Sequence, residues 1–148
     1  MATFHHQILQ AALASQQALP SVPAQRVFVE RTAPLEREDC PALNLNPGDS
    51  RAEVYGSDGE WDILKVRYQF TLAVHTRGDP QTALADPVIR DANAALMLDP
   101  SLGGLALRLS FVSSRPRKAG ADGTAGVFEL TFEATVLVHE RTLQVWSQ

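Results

Sequence analysis

The feature that most constrains this chain is a run of strict alternation from Trp61 to Thr76. Val66, Tyr68, Phe70, Leu72 and Val74 hold one parity, and Lys65, Arg67, Gln69, Thr71 and His75 hold the other. A period of two places successive side chains on opposite sheet faces, so the run predicts a long strand with one buried and one polar face. Thr124 to Val138 repeats the pattern, with Phe128, Leu130, Phe132, Ala134, Val136 and Val138 set against Glu129, Thr131, Glu133 and Thr135. Leu105 to Val112 gives a third alternating run through Leu105, Leu107, Leu109 and Phe111. Three such strands predict an antiparallel sheet covered on one face.

Shorter β-like runs are expected at Arg26–Glu30 and at Ala42–Asn46. Pro34–Cys40 between them, with Glu36, Arg37, Glu38 and Asp39, reads as a solvated connection. The cover for the sheet comes from two amphipathic segments. Thr3 to Ala18 spaces Phe4, Ile8, Leu9, Ala11, Ala12 and Leu13 at helical intervals, with Thr3 as expected N-cap, and Pro20 and Pro23 stop it. Asp79-Pro80 and Asp86-Pro87 both look like helix starts, and the main second helix is expected at Pro87–Leu98. Its end lies in Asp99-Pro100-Ser101-Leu102-Gly103-Gly104. The predicted order is α-β-β-β-α-β-β. The fold class is α+β: one domain over 1–148, with a mostly antiparallel sheet of four or five strands and two helices packed on one face.

Composition narrows the function classes. A chain of 148 residues with 45% apolar residues and 20% charged is the size of one globular domain. No apolar run approaches the roughly 20 residues that cross a bilayer, so no membrane partner is expected. The N-terminal residues lack a secretory pattern, and one cysteine, Cys40, fits a reducing compartment; folding in the cytoplasm is therefore expected. A net charge of −4 argues against wrapping naked nucleic acid, although a local basic segment can still meet phosphate.

The chemistry-bearing residues do not converge in the sequence. The histidines His5, His6, His75 and His139 have no metal-ligand spacing, and adjacent His5 and His6 point apart on a helix. Cys40 follows Glu36, Glu38 and Asp39, which would raise rather than lower a thiol pKa. No nucleophile elbow or phosphate-binding loop occurs. Glu129 and Glu133 are expected to pair with Lys65 and Arg67 on a neighbouring strand. No catalytic residue, cofactor or metal is expected, and the chain is read as a non-enzyme. Two segments low in apolar content, 48–60 and 113–126, are expected to be long loops. The first is mostly acidic and the second basic, so they suit complementary pairing between copies.

The order and spacing of these pieces resemble the tail terminator, or tail completion, proteins of long-tailed bacteriophages, a family that includes minor tail protein U-like members. The resemblance runs through the N-terminal helix, the Arg26–Glu30 strand and the segment PALNLNPGD at Pro41–Asp49. It continues through the alternating strand Ile63–Thr76, RGDPQTALADPVIRDANAALMLDPSLGGLAL at Arg77–Leu107, and the last alternating strand. No single piece is a chemical signature.

What the resemblance implies is a structural virion subunit, made in the bacterial host cytoplasm and placed in the tail or neck. It would assemble as a homo-hexameric ring, cap the tail tube protein, end tube polymerisation and offer a surface to the head–tail connector protein. DNA would pass through the ring without sequence-specific binding. Loop composition points to Arg51, Glu53, Asp58, Glu60, Arg115, Arg117 and Lys118 as subunit or tail-tube contacts. The competing readings are a small-ligand protein or enzyme with a pocket between helix and sheet, built on Trp61, Tyr68, His75 and His139, and another phage neck or head-closure component.

Overall fold

In the computed structural model, which describes residues 2–78, 80–119 and 125–146, the chain forms two helices and five strands. Helix α1 is Phe4–Gln16 and α2 is Gln81–Met97. The strands are β1 Val27–Val29, β2 Ala42–Ser57, β3 Asp62–Arg77, β4 Arg108–Ala119 and β5 Ala125–His139. Spatial order is β1-β2-β3-β5-β4. The β1–β2 pair is parallel and the other pairs are antiparallel, so the sheet is mixed. The predicted α+β class and element order hold.

The strand alternation translates directly into burial. Val66, Tyr68, Phe70, Leu72 and Val74 of β3 are buried, as are Leu130, Phe132, Ala134, Val136 and Val138 of β5. Register explains why they form one core: Phe70 stands opposite Phe132, Leu72 opposite Leu130 and Val66 opposite Val136. The two phenylalanine rings stack at 5.8 Å, a contact that adds to the area they remove from water.

Helix α1 buries Phe4, Ile8, Leu9 and Ala12, residues three to four apart and hence on one face. Thr3 occupies the N-cap, but its side chain caps nothing; its hydroxyl lies 3.2 Å from His5 Nδ1 instead. Gln16 is fully buried at the other end, and its Nε2 donates to the Ala92 carbonyl at 3.1 Å, which ties α1 to α2.

Helix α2 starts six residues before the expected Pro87, leaving that proline inside it. A proline there forfeits one helical hydrogen bond. Ala85, Val88, Ala92 and Leu96 nevertheless form one continuous buried stripe, so packing against the sheet carries the helix through. The turn after α2 is built as expected: Asp99 accepts from the Ser101 amide at 3.1 Å, the Ser101 hydroxyl at 2.6 Å and the Gly103 amide at 2.8 Å. Hydrogen bonding from Ser101 and then Gly103 holds that carboxyl below the usual range.

Both segments expected as loops differ from that reading. Residues 48–57 continue β2 along β3, and 113–119 continue β4 along β5; residues 120–124 of the second segment lie outside those described. Neither stretch has the apolar pattern of a strand. Each is ordered by the backbone ladder that a long neighbour offers, with register shifts at Pro47/Ser50, Val54/Gly56 and Phe111/Ser113 absorbing the misfit. The expected strand Leu105–Val112 likewise starts only at Arg108. Of its four leucine and phenylalanine positions only Leu109 is fully buried, while Leu107 and Phe111 are exposed.

Candidate assembly surfaces

The helices cover the central strands, β1 and the start of β2, and leave the far half of β2 and the outer part of β4 bare. Strand β1 pairs β2 only at Leu43, Asn44 and Leu45, so β2 from Asn46 onward has a neighbour on one side only. Residues 47–55 are all exposed, including Val54 at 65% and Tyr55 at 60%. On the far side β4 ends the sheet, and residues 111–117 are exposed, with Phe111 at 50% and Val112 at 46%. Among the described residues, both edges therefore present backbone donors and acceptors without a strand partner, beside apolar side chains.

Their charge is opposite. The β2 edge and its turn carry Asp49, Glu53, Asp58 and Glu60 with Arg51, whereas β4 carries Arg108, Arg115, Arg117 and Lys118 and no carboxylate. Proline interrupts each edge, at Pro47 and Pro116, and a bulge interrupts β4 at Val112. Such features blunt an edge against indiscriminate strand addition.

The seven predicted contact residues fall into three settings. Arg51 and Glu53 lie on β2 opposite Arg67 and Lys65, on the sheet face away from the helices. Asp58 and Glu60 sit in the β2–β3 turn, but Asp58 serves the turn itself. Its Oδ1 accepts from the amides of Trp61 at 2.7 Å and Glu60 at 2.9 Å, and its Oδ2 meets His139 Nε2 at 2.7 Å. These amides, with His139 behind them, hold its carboxyl down at about 2. His139 Nδ1 accepts the Arg141 amide at 3.2 Å, which leaves Nε2 to donate to Asp58. Arg115 faces Glu129 across β4–β5, and Arg117 forms the ion pair with Glu129 at 3.3 Å. Lys118 is in register with Gly126, and its side chain lies outside the described residues.

Glu129 thus pairs with Arg117, and Glu133 accepts from Gln69 at 3.5 Å; neither takes the expected Lys65 or Arg67. The reason is position: Lys65 stands opposite Leu137 and Arg67 opposite Thr135, further along β5.

One arrangement was not legible in the sequence. Register places Arg51 opposite Arg67, Arg67 opposite Thr135 and Thr135 opposite Arg108, so three arginines share one transverse row of the open face. All three are exposed. The sequence shows only that Arg67 has polar parity; the alignment comes from strand pairing.

The residues of the pocket reading are dispersed. Tyr68 is fully buried on the helix face, and burial, with Glu30 adding to it, pushes its hydroxyl up to about 12. His75 is half-buried near the opposite end of β3 from Trp61 and His139. Burial, then Arg117, Arg31 and Arg77, pushes its pKa down. Only Trp61 and His139 share a hollow, of about 400 Å³, with Arg141 placed over the Trp61 ring at 5.8 Å. Burial raises the Cys40 thiol, with Arg77 the leading opposing influence, and its Sγ donates to the Glu36 carbonyl at 3.6 Å. Among the described residues no three His, Cys, Asp or Glu side chains are grouped to hold a metal ion, and no helix is long and apolar enough to cross a membrane.

No protein-family model matches the chain, and no curated protein matches it. Among solved structures it is similar to a chain in the virion of a native gene transfer agent particle, at 15% identity and a TM-score of 0.45. The match covers 91% of this chain and 95% of that one.

Proposed function

We propose that the chain is a non-enzymatic structural subunit of a phage or prophage virion. In this reading copies join edge to edge into a ring, with six copies the expected number. The ring caps the tail tube, ends its polymerisation and offers its other side to the head–tail connector.

The observation that supports this is the pair of bare sheet edges of opposite charge. Within one chain β2 and β4 run in opposite directions, since each step β2–β3, β3–β5 and β5–β4 is antiparallel. A second copy related by rotation about an axis along the strands would therefore offer its β4 antiparallel to the free half of β2. Such a contact uses two different patches, and repeated contacts of that kind close into a ring when the rotation closes. Acidic Glu53 on one edge and basic Arg115 on the other favour this pairing over β2 with β2 or β4 with β4.

The test is absolute mass by light scattering across a concentration series, at low and moderate salt. A hexamer, or growth towards one, supports the reading, and purified tail tubes then test capping. A persistent small oligomer whose thermal stability rises with a metabolite overturns it in favour of a pocket protein. A ring that binds the portal side and not the tube assigns the chain to head closure.

A further inference from the structure

The open face of the sheet is electrostatically unlike the rest of the molecule. The chain as a whole carries a net charge of −4. On this face, however, Arg51, Arg67 and Arg108 share one row, Lys65 flanks it opposite Glu53, and Arg115 and Arg117 follow along β4. The carboxylates on or beside this face are Asp49, Glu53, Glu129 and Glu133, of which Glu129 is taken by Arg117 and Glu133 receives Gln69. Asp49 and Glu133 border the shallow depression of about 260 Å³ that Arg51 and Arg67 line, yet among the described residues no ion pair joins either arginine to them.

Like charges directly opposite on neighbouring strands are destabilising, and Arg51 opposite Arg67 is such a pair. A fold that sets two arginines opposite one another on an exposed face gains from an anion that meets both. The row crosses three strand spacings, about 14 Å in all, which is room for several phosphates of a nucleic-acid backbone. Thr135 within the row and Ser110 beside it carry hydroxyls that can donate to phosphate. The same face holds no Phe, Tyr or Trp on β3 or β5 on which an unpaired base could stack.

We infer that the open face of this sheet binds the phosphate backbone of duplex DNA without reading its sequence, through the transverse row Arg51, Arg67 and Arg108. The inference deepens the ring reading by naming the face that DNA meets, and rests on that reading for this placement alone. Binding itself is a property of the single chain.

The experiment is fluorescence anisotropy of a short labelled DNA duplex titrated with the purified full chain at several salt concentrations. Mass is measured on the same samples. Saturable binding is expected, insensitive to duplex sequence, with a log–log salt slope of about −3 for the three phosphates met by the row. Replacing Arg51→Gln, Arg67→Gln and Arg108→Gln together is expected to weaken binding about tenfold or more and flatten that slope. Circular dichroism should show the fold retained and its melting temperature equal or higher, since like charges have been removed. Arg26→Gln with Arg90→Gln, away from the row, should leave binding unchanged.

Equal binding by the row variant and the parent overturns the inference, as does no binding by the parent. Tighter binding of a single strand than of the duplex overturns the duplex assignment. Displacement of the duplex by polyglutamate of equal charge assigns the face to an acidic protein and overturns it too. A chain that binds DNA through the row without forming a ring removes the ring reading and leaves this face standing. A ring indifferent to DNA does the reverse.

Discussion

Strand β2 and the central pair β3–β5 belong to one sheet, yet they meet water in opposite ways. Along β3 every second residue from Val66 to Val74 is buried beneath the helices, and β5 matches it from Leu130 to Val138. On β2 burial ends abruptly: Ala42 to Leu45 are buried, and from Pro47 to Tyr55 no residue is. The ladder to β3 runs the whole length of β2, but beyond Leu45 it is the one ladder β2 has, whereas β3 and β5 are paired on both sides. The difference in burial follows from what covers the helix-facing side, because α1 and α2 span the central strands and only the start of β2. Stability of the isolated chain therefore resides in the centre, and the proposed contacts with a neighbour would use the edges.

The largest expected effect is in the centre. Phe132→Ala removes a fully buried ring that packs on Phe70 at 5.8 Å and Phe111 at 5.8 Å, and should cost about 3–5 kcal/mol in denaturant unfolding. If it costs no more than an edge substitution, the division between centre and edge fails.

The junction of the two regimes comes next. A Cβ on Gly48 would stand 2.6 Å from the Gln69 carbonyl oxygen, a backbone atom that moves only if the strand moves. Gly48→Ala is expected to lower stability by about 1–3 kcal/mol and to disturb β2 beyond the bulge, visible as faster amide exchange there.

At the edges the expectation inverts. Glu53→Lys, or Arg115→Glu, should change stability of the single chain by less than about 0.5 kcal/mol while reducing assembled mass at low salt. The double reversal should recover assembly, as complementary edges require. Assembly unaffected by either reversal would remove the edge assignment for these residues.

Two pH effects sharpen the picture further. His75 is held below its ordinary pKa, so the unfolded chain takes up a proton that the folded chain refuses. Its contribution is present above about pH 6.5 and is lost as the pH falls from there towards its lowered value. His75→Gln should flatten that limb of a stability–pH curve. Asp58 titrates at about 2 in the fold against 3.8 otherwise, so its contribution is present above pH 3.8 and disappears as pH falls towards 2. Asp58→Asn should remove only this small acid limb, and the smallest change of all is expected there because the group is exposed. A large loss of stability at neutral pH would mean that the turn clip to His139 holds more of the hairpin than its exposure suggests.

How much of this was legible in the sequence follows from the range of each interaction. Alternation in β3 and β5 is a local signal, and it named the buried faces correctly because both strands are packed between neighbours and beneath helices. Alternation also announced the start of β4, but the outer parts of the edge strands carried no such signal. Asp49 to Ser57 and Ser113 to Ala119 read as loops since nothing in their own composition favours a strand, and only pairing with a long partner orders them. Helix α2 was shortened in prospect for the converse reason: Pro87 is a local break that the buried stripe from Ala85 to Leu96 overrides.

The contact residues divide in the same way. That Glu53, Arg115 and Arg117 are exposed follows from composition. That Asp58 is committed to its own turn, that Glu129 takes Arg117, and that Arg51, Arg67 and Arg108 align depends on register between segments far apart in the chain.

The sequence by itself determined the order of elements, the two faces of each central strand and the opposite charge of the two outer segments, because periodicity and composition act over a few residues. Only the tertiary structure decided where β2 leaves its cover, which edges stay open and which charges share a row. Those outcomes depend on strand register, and register is a property of pairs of segments that no single segment encodes.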